Sequence, residues 1–155
     1  MQIKIEGPLF NQSALCVPIL RALPDWFGIE LSIQDYQREI EALPTFLASS
    51  GGTVAGFLTL KQHNPFSAEI YVMGVRREAQ RGGIGQALVE AAESHARGLG
   101  VEYMQVKTLG PSRPDKGYAG TRAFYAALGF RPLEEFPQIW GEQNPCLILV
   151  KKLSF

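Results

Sequence analysis

Gln80-Arg81-Gly82-Gly83-Ile84-Gly85, followed by Gln86, lies between an apolar, strand-like stretch and an amphipathic one. The first turn of a helix leaves four backbone N–H groups without intrahelical partners, and the aligned peptide dipoles make that end electropositive. Glycines at 82, 83 and 85 let an anion's oxygens approach those groups without meeting a Cβ. The run therefore reads as a pyrophosphate cradle at a helix start.

The flanks decide which kind of glycine loop this is. Upstream, Glu69-Ile70-Tyr71-Val72-Met73-Gly74-Val75 is rich in β-branched and aromatic residues and reads as a buried strand. Downstream, Ile84, Ala87, Leu88, Ala91, Ala92 and Leu99 recur along one face of a helix that ends near Gly98 or Gly100. A Walker loop needs Gly-Lys-Ser/Thr after its glycines, which this chain lacks. A dinucleotide fingerprint needs a small residue where Leu88 stands and an acidic residue about 20 positions on, where Val106 and Lys107 lie. Both nucleotide readings fail.

The remaining pattern, Gln/Arg-x-x-Gly-x-Gly/Ala, is matched by Gln80, Gly83 and Gly85, and it resembles the acetyl-CoA signature of the GNAT N-acetyltransferase superfamily. A second segment, Thr121-Arg122-Ala123-Phe124-Tyr125-Ala126-Ala127-Leu128-Gly129-Phe130, resembles that family's helix-then-Gly-Phe hallmark, which carries a general-acid tyrosine. The resemblance covers roughly residues 67–133, while the first 50 residues match only in element order. It implies an α/β fold with a central, mostly antiparallel twisted sheet, splayed in the middle, and helices on both faces. It implies acetyl-CoA as co-substrate, with its pyrophosphate over Arg81, Gly82, Gly83, Ile84, Gly85 and Gln86. In that family two central strands splay and the pantetheine arm pairs with backbone of the first, here Met73, Gly74 and Val75. A glycine inside a strand marks a bulge, a close approach or simple packing, and Gly74 is open to all three.

The rest of the chain supplies a scaffold. Residues 2–6 alternate as a short strand, 12–23 read as a helix interrupted by Pro18, and 32–43 as a helix capped by Ser32 with Tyr36, Ile40 and Leu43 on one face. Strands at 45–48, 53–61 and 69–75 form an antiparallel meander through Gly51-Gly52 and His63-Asn64-Pro65-Phe66. A strand at 102–109, a helix at 119–128 and a strand at 146–153 complete the pattern. Strand 102–109 follows strand 69–75 through a helix, so the two pair in parallel by the right-handed crossover rule.

Composition sets limits. At 155 residues the chain reads as one domain, residues 1–155, with 46% hydrophobic residues; a chain of that size buries about 68 to 70% of its unfolded surface. Fifteen basic and fifteen acidic residues cancel, so neither nucleic acid nor an anionic membrane is the expected partner. Glu6, Pro8 and Asn11 break any signal-peptide pattern and no apolar run approaches the ~18 residues of a membrane span, so a cytoplasmic protein is expected. Cys16 and Cys146 lack metal-ligand spacing and sit among apolar residues, so core packing is expected and no metal.

The chemistry needs two proton-transfer groups. An alkylamine with a pKa of about 10.4 is almost wholly protonated at neutral pH, so a base must act before it attacks a thioester. Glu69 is the candidate, a carboxylate in an apolar strand on the same alternating face as Tyr71 and Met73; the alternatives are a solvated strand-edge glutamate or a water chain. Tyr125 is the phenol that the resemblance assigns to protonating the departing thiolate, against a purely packing role beside Phe124 and Leu128. Attack is expected to be direct, with the carbonyl oxygen held by the N–H of Val75 or a neighbour. Arg76, Arg77, Arg113 and Lys116 are open between the 3′-phosphate and solvated loops, whereas His63 and His95 read as surface residues.

The amine acceptor, a small molecule or peptide, is expected to sit among Trp26, Phe27, Tyr36, Trp140 and Glu142, where aromatic walls and a carboxylate suit a cation. Trp26 and Trp140 are equally readable as core cover or as a homodimer contact. Acetyl-CoA-dependent N-acetyltransfer is the expected function. The alternative is a non-catalytic acyl-CoA-binding or regulatory module of the same shape, which would need neither Glu69 nor Tyr125.

Overall fold

Seven strands form one sheet in the order β1-β2-β3-β4-β5-β7-β6 in this computed structural model, which describes residues 2–154. The strands are β1 (Ile3–Leu9), β2 (Thr45–Ser50), β3 (Thr53–Gln62), β4 (Ser67–Val75), β5 (Tyr103–Leu109), β6 (Arg131–Phe136) and β7 (Cys146–Lys152). The helices are α1 (Ser13–Arg21), α2 (Glu30–Ala42), α3 (Ile84–Gly98), α4 (Lys116–Ala127) and the short α5 (Pro137–Trp140). All neighbouring pairs are antiparallel except β4 and β5, which α3 joins in parallel as the crossover rule requires. No helix among the described residues is long and apolar enough to cross a membrane.

Two apolar clusters cover opposite faces. On one, Leu58, Leu60, Ala68, Ile70, Met104 and Val106 pack against Leu88, Ala92 and Ala96 of α3 and Tyr125 of α4. On the other, Leu47, Phe57 and Val72 pack against Cys16, Ile19 and Leu20 of α1 and Ile40 of α2.

Two irregularities at the centre shape everything functional. The β4–β5 pairing runs only from Ser67↔Tyr103 to Ile70↔Val106, so beyond Ile70 the strands part and β4 shows a free edge from Tyr71 to Val75. Thr59 and Leu60 of β3 oppose Val72 and Ile70, which leaves Tyr71 as the extra residue of a β-bulge. The bulge resets the alternation of side chains. Glu69 shares the α1–α2 face with Tyr71, as the alternation predicts, but Met73 is carried to the α3 face, which corrects the expectation that all three share one face.

Several local readings are corrected. Helix α1 runs through Pro18 without a break. Helix α2 starts at Glu30 with no side-chain cap, so Ser32 caps nothing; Glu30 suits the positive helix end and meets Arg21 at 2.6 Å. Helix α4 starts at Lys116, because the Asp115 carboxylate accepts from Tyr118 N–H at 3.0 Å, an N-cap hidden behind Pro114. Leu99 lies beyond the end of α3 and is 51% exposed, outside the apolar stripe. Strand β6 and helix α5 were not foreseen: β6 is an edge strand with Pro132 and outward-facing charges, which removes the alternation that marks a half-buried strand.

Candidate active site

The parted strands open into a cavity of about 970 Å³ that runs from the start of α3, past the free edge of β4, to the aromatic residues around α2. At its α3 end, Arg81 and Gly83 adopt left-handed conformations with φ of 67° and 88°. The first intrahelical bond of α3 is Ala87 N–H to Gly83 O at 3.0 Å, so the N–H groups of Ile84, Gly85 and Gln86 precede the helical ladder. That is a set of backbone donors at a positive helix end, suited to a pyrophosphate.

The glycines divide the work differently from the sequence reading. Gly83 is required by its positive φ. Gly85 is favoured by packing, since a Cβ there would lie 3.0 Å from the Phe124 ring of α4, close enough that the ring would have to shift. Gly82 lines a separate, smaller cavity of about 370 Å³ together with Arg76 and Ile84, whose side chain is buried. A Cβ at Gly74 would meet Ile19 of α1 and Leu23 just beyond it at 3.3 Å, which favours the packing reading. Gln80 lines the main cavity, but its amide donates to Val75 O at 2.9 Å and ties the loop to the end of β4. Gln86 bonds outward to Glu90 at 3.0 Å.

Glu69 and Tyr125 both line the cavity. The Glu69 side chain is only 4% exposed and is held on two sides: His63 Nε2 lies 2.7 Å from Oε1, and Lys107 Nζ donates to Oε1 at 3.2 Å and to Oε2 at 3.0 Å. Tyr125 is buried against Phe124 and Phe130, with ring centroids 5.1 and 5.4 Å away. Burial, and secondarily the neighbouring Tyr118, pushes its phenol well above the ordinary tyrosine range, which keeps the proton on the oxygen.

Four of the five acceptor candidates, Trp26, Phe27, Tyr36 and Trp140, line the same cavity. Phe27, Tyr36 and Tyr71 form a chain of edge-to-face rings, with centroids 5.9 and 5.6 Å apart, along the cavity wall. Trp26 and Trp140 line it too. Trp26 also fastens the α1–α2 connection to α4, donating to Thr121 Oγ1 at 3.1 Å and accepting from Tyr118 OH at 3.3 Å. Glu142 is corrected: it is exposed beyond α5 and not on the cavity wall, because the unforeseen α5 turns the chain away before it. The carboxylate of this pocket is Glu69. Of the four basic candidates, Arg77 is paired with Asp25 at 2.6 Å and Arg113 is held by Gln143 O at 3.2 Å, while Lys116 lines the main cavity.

The sequence profile of the acetyltransferase (GNAT) family matches residues 18–130. The chain belongs to the GNAT acetyltransferase family. A mycothiol acetyltransferase from Saccharomonospora viridis is 35% identical over 114 residues, covering 66% of this chain and 35% of that one. The chain thus spans about a third of the length of that relative. Among solved structures, a GNAT-family protein from Desulfovibrio desulfuricans superposes with a TM-score of 0.83 at 16% identity, covering 99% of this chain and all of the other. The PaiA N-acetyltransferase from Thermoplasma acidophilum, in complex with coenzyme A, gives 0.75 at 19% identity over 98% of this chain and 99% of that one. These two likenesses establish the GNAT fold.

Sequence reasoning missed His63 and Lys107 as parts of this GNAT site. The signal was present in the hairpin register. Lys61 opposes Glu69, so His63, two residues along the same strand direction, is its diagonal neighbour. Asn64 Oδ1 accepts from Phe66 and Ser67 N–H at 2.8 and 3.0 Å and makes the tight turn that brings His63 back. Cys16 and Cys146 are buried and free, as expected of core residues, and burial pushes their thiols up to about 12 and about 11.

Proposed function

We propose that the chain is an acetyl-CoA-dependent N-acetyltransferase that passes an acetyl group directly to a primary amine of a small molecule or peptide. The observation that carries this reading is a single cavity lined at once by the donor-rich start of α3, the free edge of β4, a buried carboxylate and a buried phenol. Coenzyme A bound to a protein of the same fold supports the co-substrate, and the relatives' name, mycothiol acetyltransferase, supports a small acceptor.

Acetyl-CoA, when bound, supplies an activated thioester. The N–H groups from Arg81 to Gln86 would hold its pyrophosphate, and Met73, Gly74 and Val75 offer backbone groups to its pantetheine arm. Glu69 takes a proton from the acceptor's ammonium, leaving a nucleophilic amine. An N–H on the free edge of β4, at Val75 or a neighbour, holds the carbonyl oxygen as charge develops. Tyr125 returns a proton to the sulfur that leaves and is restored by the second proton that the amine nitrogen sheds as it becomes an amide. The rings of Phe27, Tyr36 and Tyr71 enclose the acceptor's body and favour its positive charge.

Calorimetry with acetyl-CoA on the wild type and on Gly83→Val tests the binding half. A β-branched residue at a φ of 88° must distort the cradle, so affinity should fall tenfold or more, about 1.4 kcal/mol. Equal affinity in a folded variant would remove the cradle assignment.

A further inference from the structure

A buried base has to return its proton to water once in every turnover, and the surroundings of Glu69 restrict how that can happen. Its side chain is 4% exposed, and its polar neighbours are His63 Nε2 at 2.7 Å and Lys107 Nζ at 3.0 and 3.2 Å. Lys107 lines the cavity with Glu69, so it faces the acceptor side. His63 is not on the cavity wall; it lies behind Glu69 in the β3–β4 turn, with its side chain 34% exposed. Lys61 opposes Glu69 on β3, but it points its ammonium to Glu39 at 3.8 Å and over the Tyr71 ring. Tyr36, Tyr71 and Cys146, the remaining titratable neighbours, are phenols and a thiol whose pKa values burial raises further, so they do not exchange protons near neutrality.

From this arrangement we infer that His63 is a proton outlet, a catalytic positioning and relay residue that carries the proton from Glu69 to solvent. The inference rests on Glu69 being the base of the proposed reaction. The balance is one proton in and one proton out: the acceptor's ammonium gives a proton to a Glu69 oxygen, Glu69 gives it to the unprotonated Nε2 of an Nδ1–H imidazole, the imidazolium gives its Nδ1 proton to water, and exchange of the neutral ring with solvent returns it to the Nδ1–H tautomer for the next turnover. Histidine is the side chain suited to such a shuttle, since its two ring nitrogens let it receive a proton on one side and give one up on the other. The entry side and the exit side are therefore separate, with the acceptor in the cavity and bulk water behind the turn.

The test uses His63→Ala and His63→Gln beside Glu69→Gln, assayed with acetyl-CoA and an accepted amine in dilute, weakly basic buffer. Both histidine variants should lose about tenfold or more in kcat, with the KM for acetyl-CoA unmoved, and added imidazole should restore His63→Ala in proportion to its concentration. Glutamine keeps a hydrogen-bond donor for Glu69 but cannot ferry a proton, so a fully active His63→Gln would reduce His63 to a strut and overturn the inference. Wild-type kcat in His63→Ala without imidazole would overturn it as well. A Glu69→Gln variant at wild-type rate would instead remove the base assignment on which the outlet depends, and the two failures are thereby told apart.

Discussion

Glu69 and Tyr125 are both buried polar groups, yet their surroundings set opposite roles. Glu69 is engaged by two basic side chains and borders the aromatic end of the cavity, whereas Tyr125 sits in an apolar shell that holds its proton in place. Glu69→Gln and Tyr125→Phe should each lower kcat by about 10² to 10⁴, the range of a lost proton-transfer group, while calorimetry shows acetyl-CoA affinity little changed. A Glu69→Gln enzyme running at wild-type rate across pH 6 to 9 would place the base elsewhere. The identities of these two residues were legible in the sequence, one from its apolar strand and one from the Phe124-Tyr125 motif. Their partners were not, because His63 and Lys107 reach Glu69 through a hairpin register and a strand pairing rather than through proximity in the chain.

At the scale of elements, the start of α3 is built by two constraints that the glycine run alone does not separate. Gly83 answers to a backbone angle and Gly85 to the Phe124 ring, so the helix that presents the cradle and the helix that presents Tyr125 are packed through one another. Gly85→Ala should therefore cost about 1–3 kcal/mol of stability through overpacking, read as a lower melting temperature, and Phe124→Leu on the same background should recover much of the loss. A Gly85→Ala melting curve that coincides with the wild type would show that α3 and α4 are not coupled at this point. The order and types of the central elements followed from periodicity, because β3, β4, α3 and β5 bury regular stripes. The bulge at Tyr71, the edge strand β6 and the short α5 did not, since each departs from a regular stripe: by an extra residue, by Pro132 with exposed charges, and by brevity. The displacement of Glu142 from the cavity follows directly from the last of these.

For the whole molecule, the sheet holds two cores apart and leaves the candidate site's gap where the one parallel pair among the described strands stops. Burial raises Cys16 from 9.0 to about 12 and Tyr118 from 10.0 to about 12, so both stay protonated in the folded chain at pH values where the unfolded chain ionises. The sign follows: this contribution is intact below pH 9 and is lost as pH rises from there towards 12, and denaturant midpoints should fall across that window. Midpoints that hold steady from pH 9 to 12 would contradict the burial of these groups. Whether the gap transfers an acetyl group is decided by mixing the protein with acetyl-CoA and a panel of primary amines while following thiol release and the mass of each amine. Amine-dependent thiol release, matched mole for mole by an acceptor heavier by one acetyl group, is the expected outcome. Tight binding of acetyl-CoA with no release across the panel would contradict it and leave a binding module in its place.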